Sequence, residues 1–303
     1  MERGLRKERP IVILIPSWRD MPYLVSTSFR EFLSNISLTG DHRQTAKTRM
    51  EKVSELLGKH LTILDIFPTG SLLRGTGLKN VSDVDVVAVL HYSQHIEGKS
   101  PHKVLEDVRD VLSDYNAKIV KKNGQAVTLY FETWPNVDIV PAKRVTAGNG
   151  YVLYIPDMET GSWIPTDPAA HDRAIAAAPT ETRQLIRMVK RWNEAHSHYL
   201  QSFHIEQIAL SCLRDNGPIT LREEDDWPLA VYQFFKKAIE MTEATTVISR
   251  SYSTEDWVEL RNRLDRASVT ASDGWTYIYT DKDSKAAIER FRVLFGDEFP
   301  AYG

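Results

Sequence analysis

Three acids and a glycine-rich turn carry the residue types and spacing that chemistry needs. Residues 67–90 read FPTGSLLRGTGLKNVSDVDVVAVL, with Asp83 and Asp85 at the mouth of an apolar run and Gly70, Gly75 and Gly77 ahead of them. Alternate residues of a strand share a face, so Asp83 and Asp85 point one way while Val84 and Val86 point the other. Neighbouring carboxylates repel, and partial burial worsens the repulsion unless a cation lies between them. Magnesium gives that relief, because it prefers carboxylate oxygens and keeps positions open for phosphate. Asp138, in NVDIVPA, is a lone acid between Val137 and Ile139 on a second apolar run, and it completes a three-carboxylate set for two ions. At the other end of the segment, the Gly70-Ser71 turn can aim backbone N–H groups and the Ser71 hydroxyl at a triphosphate. The chemistry implied is in-line attack at a nucleotide α-phosphate.

Such residues need a sheet to position them. Residues 41–57 read as a helix stopped by Gly58, and 61–67 as a strand entering the glycine turn. Residues 84–90, which include Asp85, are the second predicted strand. Ser100-Pro101 starts a helix with Val104, Leu105, Val108, Val111 and Leu112 at helical spacing. Residues 117–120, 126–132 and 137–140 are further predicted strands. From Asp167 onward the pattern is helical, with starts near Pro168, Pro179, Ser202, Asp225, Ser253 and Asp283. Ser253 and Asp256 read as a capping box. The stretch YIPDMETGSWIPTDP, rich in turn residues, is the expected boundary. The fold class is therefore α+β: residues 1–165 with a mixed sheet, then a helical domain over 166–303.

Composition bounds the rest. The 303 residues are 42% hydrophobic and 26% charged, as in ordinary globular proteins. No apolar run reaches the length of a membrane span, and no secretory cleavage pattern is present. The one cysteine, Cys212, excludes an internal disulfide or a Cys-rich zinc site, and the reducing cytoplasm is the simplest compartment. A net charge of -3 gives no general field for nucleic acid, which argues against a polymerase with a basic groove. Positive charge is local: Arg183, Arg187, Lys190 and Arg191 share one predicted helix. Leu185, Ile186, Met188, Val189 and Trp192 form its apolar stripe. Lys190 flanks the stripe and can reach inward, whereas Arg187 and Arg191 are expected to point away.

Gly70-Ser71, eleven intervening residues, then Asp83-Val84-Asp85 resembles the signature of DNA-polymerase-beta-like nucleotidyltransferases. The full string GSLLRGTGLKNVSDVDVV is similar to a narrower branch. That branch holds oligoadenylate synthetases, cyclic GMP-AMP synthase and the cGAS/DncV-like nucleotidyltransferases of bacterial CBASS antiphage operons. FREFLSNISLT, YIPDMETGSWIPTDPAAH, LIRMVKRWN and SFHIEQIAL extend the likeness across most of residues 28–213. The resemblance implies a nucleotidyltransferase palm followed by a helical domain. It also implies a soluble enzyme that joins NTPs, with two Mg2+ ions (Mn2+ as substitute), into a cyclic di- or trinucleotide messenger for a downstream effector. In that likeness Asp83, Asp85 and Asp138 hold the metals, and Gly70, Ser71, Lys190 and Ser202 hold the triphosphate. Phe203 matches a position where an aromatic ring stacks on a base, and Trp163, Thr166 and Asp167 match a strip beside the pocket. Ser202 is equally readable as a plain helix cap, and Phe203 as core. A linear oligoadenylate-type synthetase and an RNA-terminal transferase would keep the same triad. A catalytically inactive nucleotide-binding regulator would be expected to have lost an acid. Lacking a Cys/His zinc insertion and a basic surface, the chain is expected not to sense double-stranded DNA directly. The ending FGDEFPAYG resembles tails joined to targets by ubiquitin-activating-like enzymes, which makes Gly303 the expected point of conjugation.

Overall fold

Residues 24–148, 150–158, 160–216 and 226–302 are described by the computed structural model. The chain begins with α1 (Val25–Ile36) and α2 (Gly40–His60), then β1 (Ile63–Thr69), α3 (Gly70–Arg74) and β2 (Val84–Leu90). Next come α4 (Pro101–Leu112), β3 (Ile119–Asn123), β4 (Ala126–Tyr130), β5 (Val137–Ala147), β6 (Gly150–Asp157) and β7 (Ser162–Thr166). Helices follow: α5 (Pro168–Ala177), α6 (Thr180–Ala195), α7 (Ser202–Asn216), α8 (Trp227–Met241), α9 (Thr254–Tyr279) and α10 (Ser284–Phe295).

The strands make one mixed sheet in the order β1-β2-β5-β4-β3, with β6 joining β5 to β7. β2 and β5 run parallel, while β1–β2 and β4–β5 are antiparallel. The two ends of β5 have different partners: its first half lies between β2 and β4, and its second half pairs with β6. Period-two alternation then sorts the side chains. Val84, Val86, Ala88, Val137 and Ile139 bury against Val53 and Leu57 of α2 and Val104, Leu105 and Val108 of α4. The opposite parity carries Val87, Val89 and Ala142, and toward the N-terminal end of β2 it carries Asp85. One face of the sheet is thus closed by helices, and the other presents the acids.

A second core holds the C-terminal helices together. Phe29 and Phe32 of α1 meet Phe291 and Phe295 of α10 and Phe299, with ring centroids as close as 4.7 Å. All five rings are fully buried, and truncating any one to Ala should cost about 3–5 kcal/mol. Although first in the chain, α1 belongs to this core with α6, α8, α9 and α10. The expected division at residue 166 therefore places α1 on the sheet side in sequence, whereas its apolar face packs with the later helices.

Several sequence boundaries shift. α2 continues through Gly58 to His60 with Leu61 as its cap, because an exposed glycine near a helix end costs only about 1 kcal/mol while Leu57 is fully buried. β1 includes Pro68, which an edge strand tolerates because it lacks one neighbour. The stretch expected to be a boundary is the β6–β7 hairpin. Its Pro156 lies beyond the β5 pairing and its Pro165 lies on the outermost strand, so neither removes a needed donor. Gly296, at φ 82°, ends α10 as expected, and Phe299 then folds back into the core. Ala301 and Tyr302 are exposed, and Gly303 lies outside the described residues. No helix among the described residues is long and apolar enough to cross a membrane.

Candidate active site

Register gathers the acids. Thr69 of β1 is opposite Asp85, Asp85 is opposite Asp138 of β5, and Asp138 is opposite Thr128 of β4. These four residues form one row across four strands, with neighbouring strands about 4.8 Å apart. Asp83 stands just before β2. Its Oδ1 accepts a hydrogen bond from Asn136 Nδ2 at 3.1 Å, and Val84 N donates to Asn136 O at 3.0 Å. Trp134 Nε1 donates to Ser82 O at 2.9 Å, so the segment before β5 pins the approach to β2. Asp138 Oδ1 accepts from Thr128 Oγ1 at 2.5 Å.

Gly70 makes room for Asp85. At φ 80°, a Cβ on residue 70 would stand 1.8 Å from Asp85 Oδ2, so no side chain can occupy that position beside this carboxylate. Ser71 follows in the first turn of α3, beside the same end of the sheet.

The electrostatics record the crowding. Burial, then the charge of Asp138, pushes Asp83 up to about 6, against hydrogen bonds from Asn136. Burial, then Asp138, pushes Asp85 up to about 7; Asp83 adds to the effect, while Arg74 and Lys190 oppose it. Burial also raises Asp138, offset in part by Thr128. All three carboxyls hold their protons more tightly than a free aspartate, chiefly because burial strips them of water, with repulsion from neighbouring carboxylates added at Asp83 and Asp85. Their donor chemistry fits a hard divalent cation: oxygen ligands only, anionic, on two adjacent strands or, for Asp83, at the entry to one. Among the described residues no three acid, histidine or cysteine side chains yet close around a single point. Asp83 and Asp138 are instead turned to Asn136 and Thr128.

Lys190 comes to this site in company. Fully inside the fold, its Nζ donates to Glu206 Oε1 at 2.8 Å and Thr76 Oγ1 at 3.3 Å. Glu206 of α7 has no exposed surface and also meets Thr76 Oγ1 at 2.6 Å, His171 Nε2 at 2.6 Å and Arg74 Nε at 3.1 Å. Burial opposes its charge, yet His171, Lys190 and Arg74 hold its carboxyl far below the usual range. Arg74 also pairs with Asp172 at 2.7 Å, and Thr69 Oγ1 donates to the same carboxylate at 3.1 Å. This network ties α3 and the glycine loop to α5, α6 and α7. Sequence reading missed Glu206, whose only signal was a charge flanked by Ile205, Ile208 and Ala209 on an apolar helix face.

Other sequence expectations fare differently. Arg187 does not point away: its Nη1 donates to Gly75 O at 2.6 Å, beneath the glycine loop. Arg191 points elsewhere, pairing with Glu298 at 2.8 Å. Ser202 is exposed at the first residue of α7, and Phe203 is 49% exposed with its ring 4.7 Å from that of His171. Phe203 is therefore not core. Trp163 packs on the helix-covered face of the sheet and under Lys143 Nζ at 4.8 Å, and Asp167 caps α5 through Ala170 N.

Residues 24–178 match the family model described as the Second Messenger Oligonucleotide or Dinucleotide Synthetase domain. A cyclic AMP-AMP-AMP synthase of Escherichia coli is 30% identical over 217 residues, covering 64% of this chain. The match spans 63% of that relative's length. The solved structure of E. coli CdnC with ATP superposes with a TM-score of 0.67 at 21% identity, over 91% of this chain and 98% of that one. A complex of E. coli CdnC with HORMA-deltaN gives 0.64 at 18% identity over the same shares. These likenesses in structure concern the fold.

Proposed function

The chain belongs to the family of second messenger oligonucleotide or dinucleotide synthetases, and from that premise we propose that it joins nucleoside triphosphates into a cyclic di- or trinucleotide. One observation carries the reading: Asp85 and Asp138 are in register on parallel strands, with Asp83 beside them and Gly70 abutting Asp85.

Asp83, Asp85 and Asp138 would hold the two Mg2+ ions, or Mn2+ in their place, that neutralise a triphosphate and acidify the acceptor hydroxyl. Gly70 and Ser71 bind the donor phosphates through N–H groups and the Ser71 hydroxyl. Asp138 takes the proton of the acceptor ribose hydroxyl, whose oxygen attacks the α-phosphorus as pyrophosphate leaves. Lys190 supplies positive charge to the same side, with Glu206 fixing its ammonium. The exposed ring of Phe203 offers a base a stacking surface, and Ser202 at the start of α7 a hydroxyl for phosphate. The cyclic product would act on a downstream effector in antiphage defence. A HORMA-type protein, as in the E. coli CdnC complex, is the partner class to test.

The test is pyrophosphate release from NTPs by wild type and by Asp85→Asn and Asp138→Asn. Release by wild type that both variants lack is the expected result. Equal release by all three refutes the reading.

A further inference from the structure

A cavity of about 650 Å3 lies between α3, the α1–α2 turn, α5 and α6. Neither the three carboxylates nor Gly70, Ser71 or Lys190 lines it. Five arginines do, and among the described residues Arg74 alone is matched by carboxylates, those of Asp172 and Glu206. Arg43 and Arg173 stand exposed at the rim and have no ion-pair partner among the described residues. Among the described residues Arg183 donates to neutral acceptors, the carbonyls of Ile175, Ala176 and Ala178 and the Thr180 hydroxyl. Arg187 donates to Gly75 O, while its Nε is buried without an acceptor among the described residues. Burial, then the charges of Arg183 and Arg43, draws the Arg187 guanidinium down to about 10. Four cations thus crowd one cavity in a chain whose net charge is -3.

We propose that this cavity binds a small organic phosphate carrying at least two negative charges. Guanidinium groups match phosphate oxygens in number and in planar geometry, and Leu38 and Leu72 give the ligand's body an apolar wall. The volume lies in the range of small-ligand sites and is too small for a duplex. Occupancy would reach the catalytic side through Arg43, Leu72 and Leu73, which also line a smaller cavity beside Asp85, and through Arg187. Arg187 holds the carbonyl of Gly75, which caps α3 at the head of the loop leading to Asp83. A ligand that orders Arg187 therefore steadies that loop. Binding itself does not depend on the proposed function; only an effect on turnover does.

The probe is adenosine 3′,5′-bisphosphate, titrated by calorimetry into the full chain with EDTA present. One saturable site per chain is expected, with adenosine and inorganic phosphate each weaker by about tenfold or more. Arg43→Ala/Arg173→Ala should weaken the bisphosphate by about tenfold or more, and Arg187→Lys, which keeps the charge and loses the fork, by less. Because Arg43 and Arg173 are exposed and unpaired, the double variant keeps its fold. Asp85→Asn should leave binding unchanged. Three results overturn the proposal: no saturable binding, binding indifferent to Arg43→Ala/Arg173→Ala, or binding changed in either direction by Asp85→Asn. The last would place the ligand in the catalytic cleft.

Discussion

Asp85→Asn should make the metal-free protein more stable while removing its chemistry. The carboxyl of Asp85 is pushed up to about 7 from an ordinary 3.8, by burial and then by Asp138. Holding it charged in the fold at pH 8 therefore costs at most about 4 kcal/mol, at 1.36 kcal/mol per tenfold change in proton affinity. Asp85 shares that repulsion with Asp83 and Asp138, and relaxation absorbs part of it, so about 2–4 kcal/mol should be recovered. Asparagine keeps the shape that fits against Gly70, and its amide can donate toward Asp138. For a chain of this size the gain corresponds to about 3–6 °C in Tm. The sign follows from linkage. The folded protein holds this proton more tightly than the unfolded chain, so wild type loses stability as pH rises from near 4 to near 7. The wild-type and Asp85→Asn curves should therefore coincide near pH 4 and separate by pH 8. Urea denaturation in EDTA at each pH measures the gap, and added Mg2+ should stabilise wild type alone. An Asp85→Asn protein no more stable than wild type at pH 8 without metal would refute the idea that these acids are held against their repulsion.

Three further outcomes test the site. Gly70→Ala should abolish turnover, because a Cβ would lie 1.8 Å from Asp85 Oδ2 and residue 70 sits at φ 80°; NTP turnover at near wild-type rate would contradict the contact. Asp83→Ala and Asp138→Ala should each lower kcat by about a thousandfold or more without lowering Tm, since several kcal/mol of transition-state stabilisation is lost along with a repelling charge. Lys190→Ala should weaken NTP binding and cost about 2–4 kcal/mol of stability, because Glu206 stays buried with fewer donors. In a double-mutant cycle, Glu206→Gln should recover part of the stability of Lys190→Ala but not its NTP affinity.

How much of this was legible in sequence depends on the range of the interaction involved. β2 and its acids could be read because the strand is buried on both faces, so Asp85 interrupts an otherwise apolar run. The helix starts at Pro168, Ser253 and Asp283 follow from local capping, and the caps of Asp167, Ser253 and Asp283 are formed. β6 and β7 were hidden because prolines break the local strand signal, and only the pairing partners show that those positions need no donor. α1 was missed as an element because its phenylalanines meet partners more than 250 residues away. Lys190 was reachable from its stripe position, but Glu206, His171 and Arg74 converge on one point from three separate helices. A single sequence carries no local trace of that convergence. The reading of Arg187 failed for the same reason, since the loop it supports comes from the other half of the chain.

The most direct test of the central claim is the product itself. The purified chain should be incubated with all four NTPs and Mg2+ or Mn2+, treated with phosphatase and examined by mass spectrometry. The expected result is a phosphatase-resistant species with the mass of two or three nucleoside monophosphates less one water for each bond formed, absent with Asp85→Asn. Products that phosphatase trims to linear chains with free ends, or nucleotides added to an RNA terminus, would contradict cyclic messenger synthesis.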